Sequence, residues 1–213
     1  MTKDKGIDNK NEKRLGIMGG TFNPIHFGHL LMAQRALADY ELDEICFIPT
    51  GIQWMKKGDP DLLDGDIRYE MTRLAIEDNP SFSISRMEID REGNTYTYET
   101  MEALRKEYPD ALLYYIVGAD TLNKMDQWRS PEIVFQEAII LCAVRGDQDK
   151  AKVMDCANEL IKKYEADIRF LDIPRMDISS TDIRNRVRES KSVRYLLPDQ
   201  VMGYIADKRL YQA

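Results

Sequence analysis

Residues 14–49 read RLGIMGGTFNPIHFGHLLMAQRALADYELDEICFIP, and the periodicity changes twice along them. Arg14 to Met18 is a short apolar run halted by Gly19 and Gly20, the pattern of a buried strand whose end needs permissive backbone. From His29 to Tyr40 the residues Leu30, Leu31, Ala33, Leu37 and Ala38 recur at helical spacing, and Glu44 to Pro49 is again an apolar run of strand length. Together they make one β-α-β unit.

The alternation continues outward. The spacing predicts a helix over 67–79, an alternating strand over 82–89, a helix over 97–107 and a strand over 112–117. A short helix from near Pro131, an apolar run over 138–144, a helix over about 149–164 and a strand over 168–173 follow. After Pro174 only helical signals remain, over 180–188 and 198–210. Strands this uniformly apolar have no wet face, so the expected fold is α/β: a Rossmann-like, doubly wound, mostly parallel sheet with a small C-terminal helical extension. The expected organisation is a mobile polar tail over 1–14 and a single domain over 15–213, in which about 175–213 form a helical subdomain.

With 213 residues, 43% of them hydrophobic, the chain builds a core without covalent staples. Thirty Lys and Arg against 37 Asp and Glu leave a net charge of −7, which argues against broad nucleic-acid or anionic-membrane binding and confines any phosphate chemistry to a local pocket. Cys46, Cys142 and Cys156 lack CxxC spacing, so neither a disulfide framework nor a zinc site is expected. No stretch approaches the roughly 18 apolar residues of a membrane span, and the first residues are unlike a signal peptide. The expectation is a cytoplasmic protein; association with further copies of itself is left open.

Chemistry concentrates at the end of the first strand. Only two histidines occur in the chain, His26 and His29, and both fall in GGTFNPIHFGH, residues 19–29, between the first strand and the first helix. Open α/β sheets bind ligands at such junctions, and a helix N-terminus beside glycines suits a phosphate. Two histidines three apart suggest a metal as well, but no Cys or acidic residue stands at ligand spacing to complete a set, and no protein-held metal is expected. A second helix start lies in ISSTDIR, residues 178–184, where Ser179 or Ser180 suits an N-cap and the hydroxyls of Ser179, Ser180 and Thr181 with Arg184 make a compact phosphate grip.

These two motifs resemble the HxGH and SSTxIR signatures of a nucleotidyltransferase superfamily. With Arg91 to Thr97 (REGNTYT), Tyr115 to Asp120 (YIVGAD), Trp128 and Tyr195 to Pro198 (YLLP) in the same order, the chain more narrowly resembles the bacterial nicotinate-nucleotide adenylyltransferases over about residues 14–213. HxGH alone fits other adenylyl- and cytidylyltransferases too, including those using nicotinamide mononucleotide or phosphopantetheine. From a different class, a nucleotide sensor without turnover also fits.

The resemblance implies ATP and nicotinate mononucleotide as substrates, with Mg²⁺ brought in on ATP. It implies that Gly19, Gly20, Thr21 and Phe22 lie beside the nucleotide and that His26 and His29 contact the ATP phosphates. Ser179, Ser180, Thr181 and Arg184 then face them, and His26, His29, Lys56 and Arg184 carry catalysis. Thr97, Asp120, Trp128 and Arg129 line the pyridine end. Without the resemblance, Thr97 and Asp120 also suit helix caps and Trp128 an anchoring aromatic. The chain departs from the family in two places. Gln53-Trp54-Met55-Lys56 stands where many members have Pro-Pro-His-Lys, and Arg129 stands where an aromatic residue is usual.

Overall fold

The computed structural model describes residues 12–52, 60–145 and 147–212. Strands β1 (Arg14–Gly20), β2 (Glu44–Pro49), β3 (Phe82–Ile84), β4 (Leu112–Gly118), β5 (Ala138–Arg145) and β6 (Ile168–Ile173) form one sheet in the order β3-β2-β1-β4-β5-β6. Every pairing is parallel. The first 11 residues, most of the expected tail, lie outside the described residues. Lys13 and Arg14 belong to the fold: the Lys13 carbonyl accepts from the Leu112 N–H at 2.8 Å, and Arg14 opens β1.

Helices cover both faces, because side chains on a strand point alternately to opposite sides. Tyr114, Ile116, Ile139, Leu141 and Ala143 pack with α1 (Phe27–Asp39) and α2 (Gly65–Ile76). Leu113, Tyr115, Val117, Ile140, Cys142 and Val144 pack with α3 (Thr97–Glu107), the short α4 (Ala119–Leu122), α5 (Pro131–Glu137) and α6 (Asp147–Tyr164). The C-terminal helices α7 (Ser180–Arg188) and α8 (Asp199–Asp207) bury Ile183, Val201 and Ile205 in the α1/α2 layer. Cys46 and Cys142 are buried thiols, pushed by burial up to about 11 and about 12, and Cys156 is half-buried. No helix of the described residues is long and apolar enough to cross a membrane.

Two elements differ from their expected form. The strand read over 82–89 pairs only over Phe82–Ile84. Its apolar residues change phase, Phe82 and Ile84 being followed by Met87 and Ile89, so a continuous strand would turn the second pair to the opposite face. The chain bends instead, after Ser85 donates to the Phe47 carbonyl at 2.9 Å. The one-turn helix α4 has no counterpart among the expected elements, since four residues carry no helical periodicity.

Candidate active site

The strand order reverses between β1 and β4, whose following helices go to opposite faces. A crevice at the carboxyl ends of the strands opens at such a switch point. On its β1 side the loop after Gly20 carries Thr21 and a buried Phe22 at φ 47°. The Phe22 ring stands edge-on to His29, centroids 5.2 Å apart. His26 is the N-cap of α1, and its imidazole stacks on that of His29 at 3.8 Å. The His26 backbone N–H donates to His29 Nδ1 at 3.3 Å. An accepting Nδ1 carries no proton, so the neutral His29 ring holds its N–H on Nε2, at the opposite edge. Gly28 lets the rings lie this way, since a Cβ there would stand 3.0 Å from His26 Nδ1.

Helix α7 closes on this loop. Ser179 is its N-cap, accepting from the Asp182 N–H at 3.1 Å, which settles the choice between the two serines. Ser180 Oγ donates to the Pro24 carbonyl at 2.8 Å and Arg184 Nη1 to the Asn23 carbonyl at 3.0 Å, joining segments 156 and 161 residues apart. Arg184 Nη2 also reaches Thr181 Oγ1 at 3.4 Å, and Asp61 lies 3.7 Å from its Nε while pairing with Arg188 at 2.7 Å. The two signature segments therefore form a single structure.

On the β4 side Trp128 meets Tyr115 edge-on at 6.2 Å. Tyr115 is buried, which pushes its phenol up, and it hydrogen-bonds the side chain of Thr97. Its hydroxyl lies so close to Gly19 that a Cβ there would be 2.9 Å away. Thr97 is the first residue of α3, not its cap; Tyr96 holds that position. Asp120 is likewise inside α4, whose cap is Gly118, and it is exposed outside the ring cluster. Arg129 is exposed, its guanidinium 4.8 Å over the Tyr96 ring. Lys56, with the Gln53 to Gly58 stretch, lies outside the described residues. Among the described residues no group of three or more His, Cys, Asp or Glu is placed to hold a metal ion.

Known proteins resemble this chain in sequence and in fold. The cytidylyltransferase-like family model matches residues 17–186. The curated "probable nicotinate-nucleotide adenylyltransferase" of Lachnoclostridium phytofermentans is 45% identical over 93% of this chain and 99% of its own. The chain belongs to the nicotinate-nucleotide adenylyltransferase family. The protein of the same name from Corynebacterium glutamicum is 41% identical over 95% of this chain and 90% of its own. In fold, this family member superposes on the Plasmodium falciparum nicotinic acid mononucleotide adenylyltransferase complexed with NaAD, at 19% identity and a TM-score of 0.76, over 94% and 98% of the two chains.

Sequence reasoning missed three residues of this adenylyltransferase crevice. Tyr115 falls in the expected strand and in the YIVGAD stretch with no role of its own, yet it links the Gly19 end to the Thr97 end. Asn23 is buried, its Oδ1 accepting from the Tyr211 hydroxyl at 2.9 Å and its Nδ2 donating to the Asp61 carbonyl at 2.8 Å. Arg68 is buried in α2, donating to the carbonyls of Leu63, Thr21 and Thr50 at 2.9, 2.8 and 2.7 Å. A signal existed for Arg68: with Thr72 it interrupts the inward face defined by Met71 and Ala75.

Proposed function

We propose that the protein transfers the adenylyl group of ATP to nicotinate mononucleotide, forming nicotinate adenine dinucleotide and pyrophosphate, a step of NAD biosynthesis carried out in the cytoplasm. The observation that carries this reading is the pair of hydrogen bonds from Ser180 and Arg184 to the Pro24 and Asn23 carbonyls, which ties the tip of α7 to the loop leading into His26 and His29.

ATP lies along Gly19, Gly20, Thr21 and Phe22, its phosphates between the imidazoles and the tip of α7. Ser179, Ser180 and Thr181 present that tip, and Lys56 is the further cation that the family resemblance assigns to catalysis. Mg²⁺ arrives on the ATP oxygens as part of the substrate. An oxygen of the acceptor's 5′-phosphate attacks the α-phosphorus in line, a new P–O bond forms, and the bond to the bridging oxygen of pyrophosphate breaks with its electron pair. No general base is required, because the second ionisation of a phosphate monoester, at about pH 6, already leaves a dianion at neutrality. The task is to hold two polyanions together and to stabilise charge moving onto pyrophosphate. The His29 Nε2–H, His26, and those N–H groups of Arg184 that do not hold Asn23 and Thr181 serve it.

At the other end the pyridine ring stacks on Trp128, with Asp120 and Arg129 at the rim. Its carboxylate meets the first N–H groups of α3, which helix geometry leaves without intrahelical acceptors. Those donors match a carboxylate and mismatch an amide NH₂, so the acid is the preferred acceptor.

Pyrophosphate release from ATP and Mg²⁺ with nicotinate mononucleotide, compared with nicotinamide mononucleotide and phosphopantetheine, tests the assignment. His29→Ala and His26→Ala are each expected to lower kcat by roughly 10²-fold or more with the fold intact. Wild-type turnover in both would remove the histidines from the mechanism, and ATP binding without turnover of any acceptor would make the chain a nucleotide-binding module.

A further inference from the structure

Arg129 brings a positive charge to the edge of the pyridine end. Its guanidinium covers the face of Tyr96, and Tyr96 is the cap residue directly before the α3 N–H groups. The guanidinium also donates a hydrogen bond to the Tyr96 side chain, and with five N–H groups it keeps donors beyond that contact. The placement is built in. Before Arg129, Met125–Gln127 form a 3-10 turn closed by the Trp128 N–H on the Met125 carbonyl at 3.1 Å. After it, Ser130 sits at φ 47°, ψ 54°, and Pro131 starts α5. A left-handed serine followed by proline narrows the directions in which residue 129 projects.

The carboxylate facing this group is Glu99, and Glu99 is already engaged by Arg91 at 3.3 Å and by the Tyr98 hydroxyl at 3.1 Å. The other groups acting on Arg129 are Tyr96, whose side chain it hydrogen-bonds, and Tyr98, and neither is a carboxylate. A guanidinium so placed attracts an anionic ring substituent and is indifferent to a neutral one of the same shape.

We propose that Arg129 is a specificity-determining residue, its side-chain charge adding to the α3 N–H groups in selecting an acceptor whose pyridine ring bears a carboxylate. This rests on the adenylyl transfer reading above and deepens it.

The test is steady-state kinetics of the full chain with nicotinate and nicotinamide mononucleotides at saturating ATP, for wild type, Arg129→Ala and Arg129→Lys. In Arg129→Ala the ratio of kcat/KM for acid over amide should fall by roughly 2- to 5-fold, the scale of one partly screened charge contact. The loss should lie in KM for the acid and shrink at high salt. Arg129→Lys should keep most of the preference. An unchanged ratio in Arg129→Ala overturns the proposal, as does an equal loss for acid and amide, which marks a general placement role. Failure of the wild type to turn over the acid defeats the reading of the reaction itself, and is seen before any variant is compared.

Discussion

Gly28 occupies the second position of α1, where helix propensity favours alanine by up to about 1 kcal/mol. What opposes alanine is the His26 ring, 3.0 to 3.1 Å from where its Cβ would lie. That ring is buried and stacked on His29, so it moves only by disturbing both imidazoles. Gly28→Ala should therefore leave thermal stability unchanged or lowered, the propensity gain being offset by the crowded ring, while kcat falls by about 10-fold or more, as expected when donors are displaced by a few tenths of an ångström. Unaltered kcat in a folded variant would show that the stack is not what the glycine serves. At this scale the sequence is legible where composition is extreme. The chain's whole complement of histidine in eleven residues points to the site at once, while the reason for the glycine between them does not show, because the pattern suggests a phosphate approach and the close contact is with an imidazole.

Helix α2 begins two residues before its expected start, since Asp64 caps it by accepting from the Asp66 N–H at 2.9 Å. Its more important feature is Arg68. Burial lowers the affinity of that guanidinium for its proton, yet three carbonyls from two loops converge on it. Two of them belong to Thr21 and Thr50, the residues that follow β1 and β2, so one side chain fixes the ends of both strands to the helix above. Arg68→Met leaves those carbonyls without their donors at about 1–3 kcal/mol each, and a total loss of roughly 3–5 kcal/mol is expected in urea unfolding. Arg68→Lys keeps the charge but not the planar fork, and should lie between the two. Equal stability of Arg68→Met and wild type would mean that the strand ends are held by something else. Sequence periodicity locates the helix and puts Arg68 on its inward face, but it does not reveal the clamp, because the carbonyls that accept from it lie in loops whose approach the pattern does not show.

Across the whole molecule, the alternation of strands and helices announces a parallel sheet, but strand order is a property of contacts distant in sequence. Only the pairing of β1 with β4 as well as β2 creates the crevice and brings Trp128 near Gly19, and only the return of α7 to the α1 layer brings Arg184 to Asn23. Glu88 lies where several of these long connections meet. It is buried, accepts from Thr100 of α3 at 2.8 Å, and is hydrogen-bonded by the Gly51 backbone beyond β2 and by the Thr95 side chain. Burial pushes its carboxyl above the ordinary range in spite of those donors. The native state then binds a proton that the unfolded state, with a glutamate near pKa 4.3, has already released. Stability conferred at this position is complete below the unfolded value and is lost as pH rises toward the raised native one. Carboxylates held low by cations, as Glu70 is by Arg73 and Asp126 by Lys163, tilt the curve the opposite way, so the contribution of Glu88 is seen in a difference between two proteins. Urea unfolding of wild type and Glu88→Gln from pH 4 to 8 should show the variant gaining on wild type as pH rises, with a slope of at most about 1.4 kcal/mol per pH unit. Parallel curves would place the proton of Glu88 in the same equilibrium folded and unfolded, which its burial beneath the Gly51 and Thr95 connections contradicts.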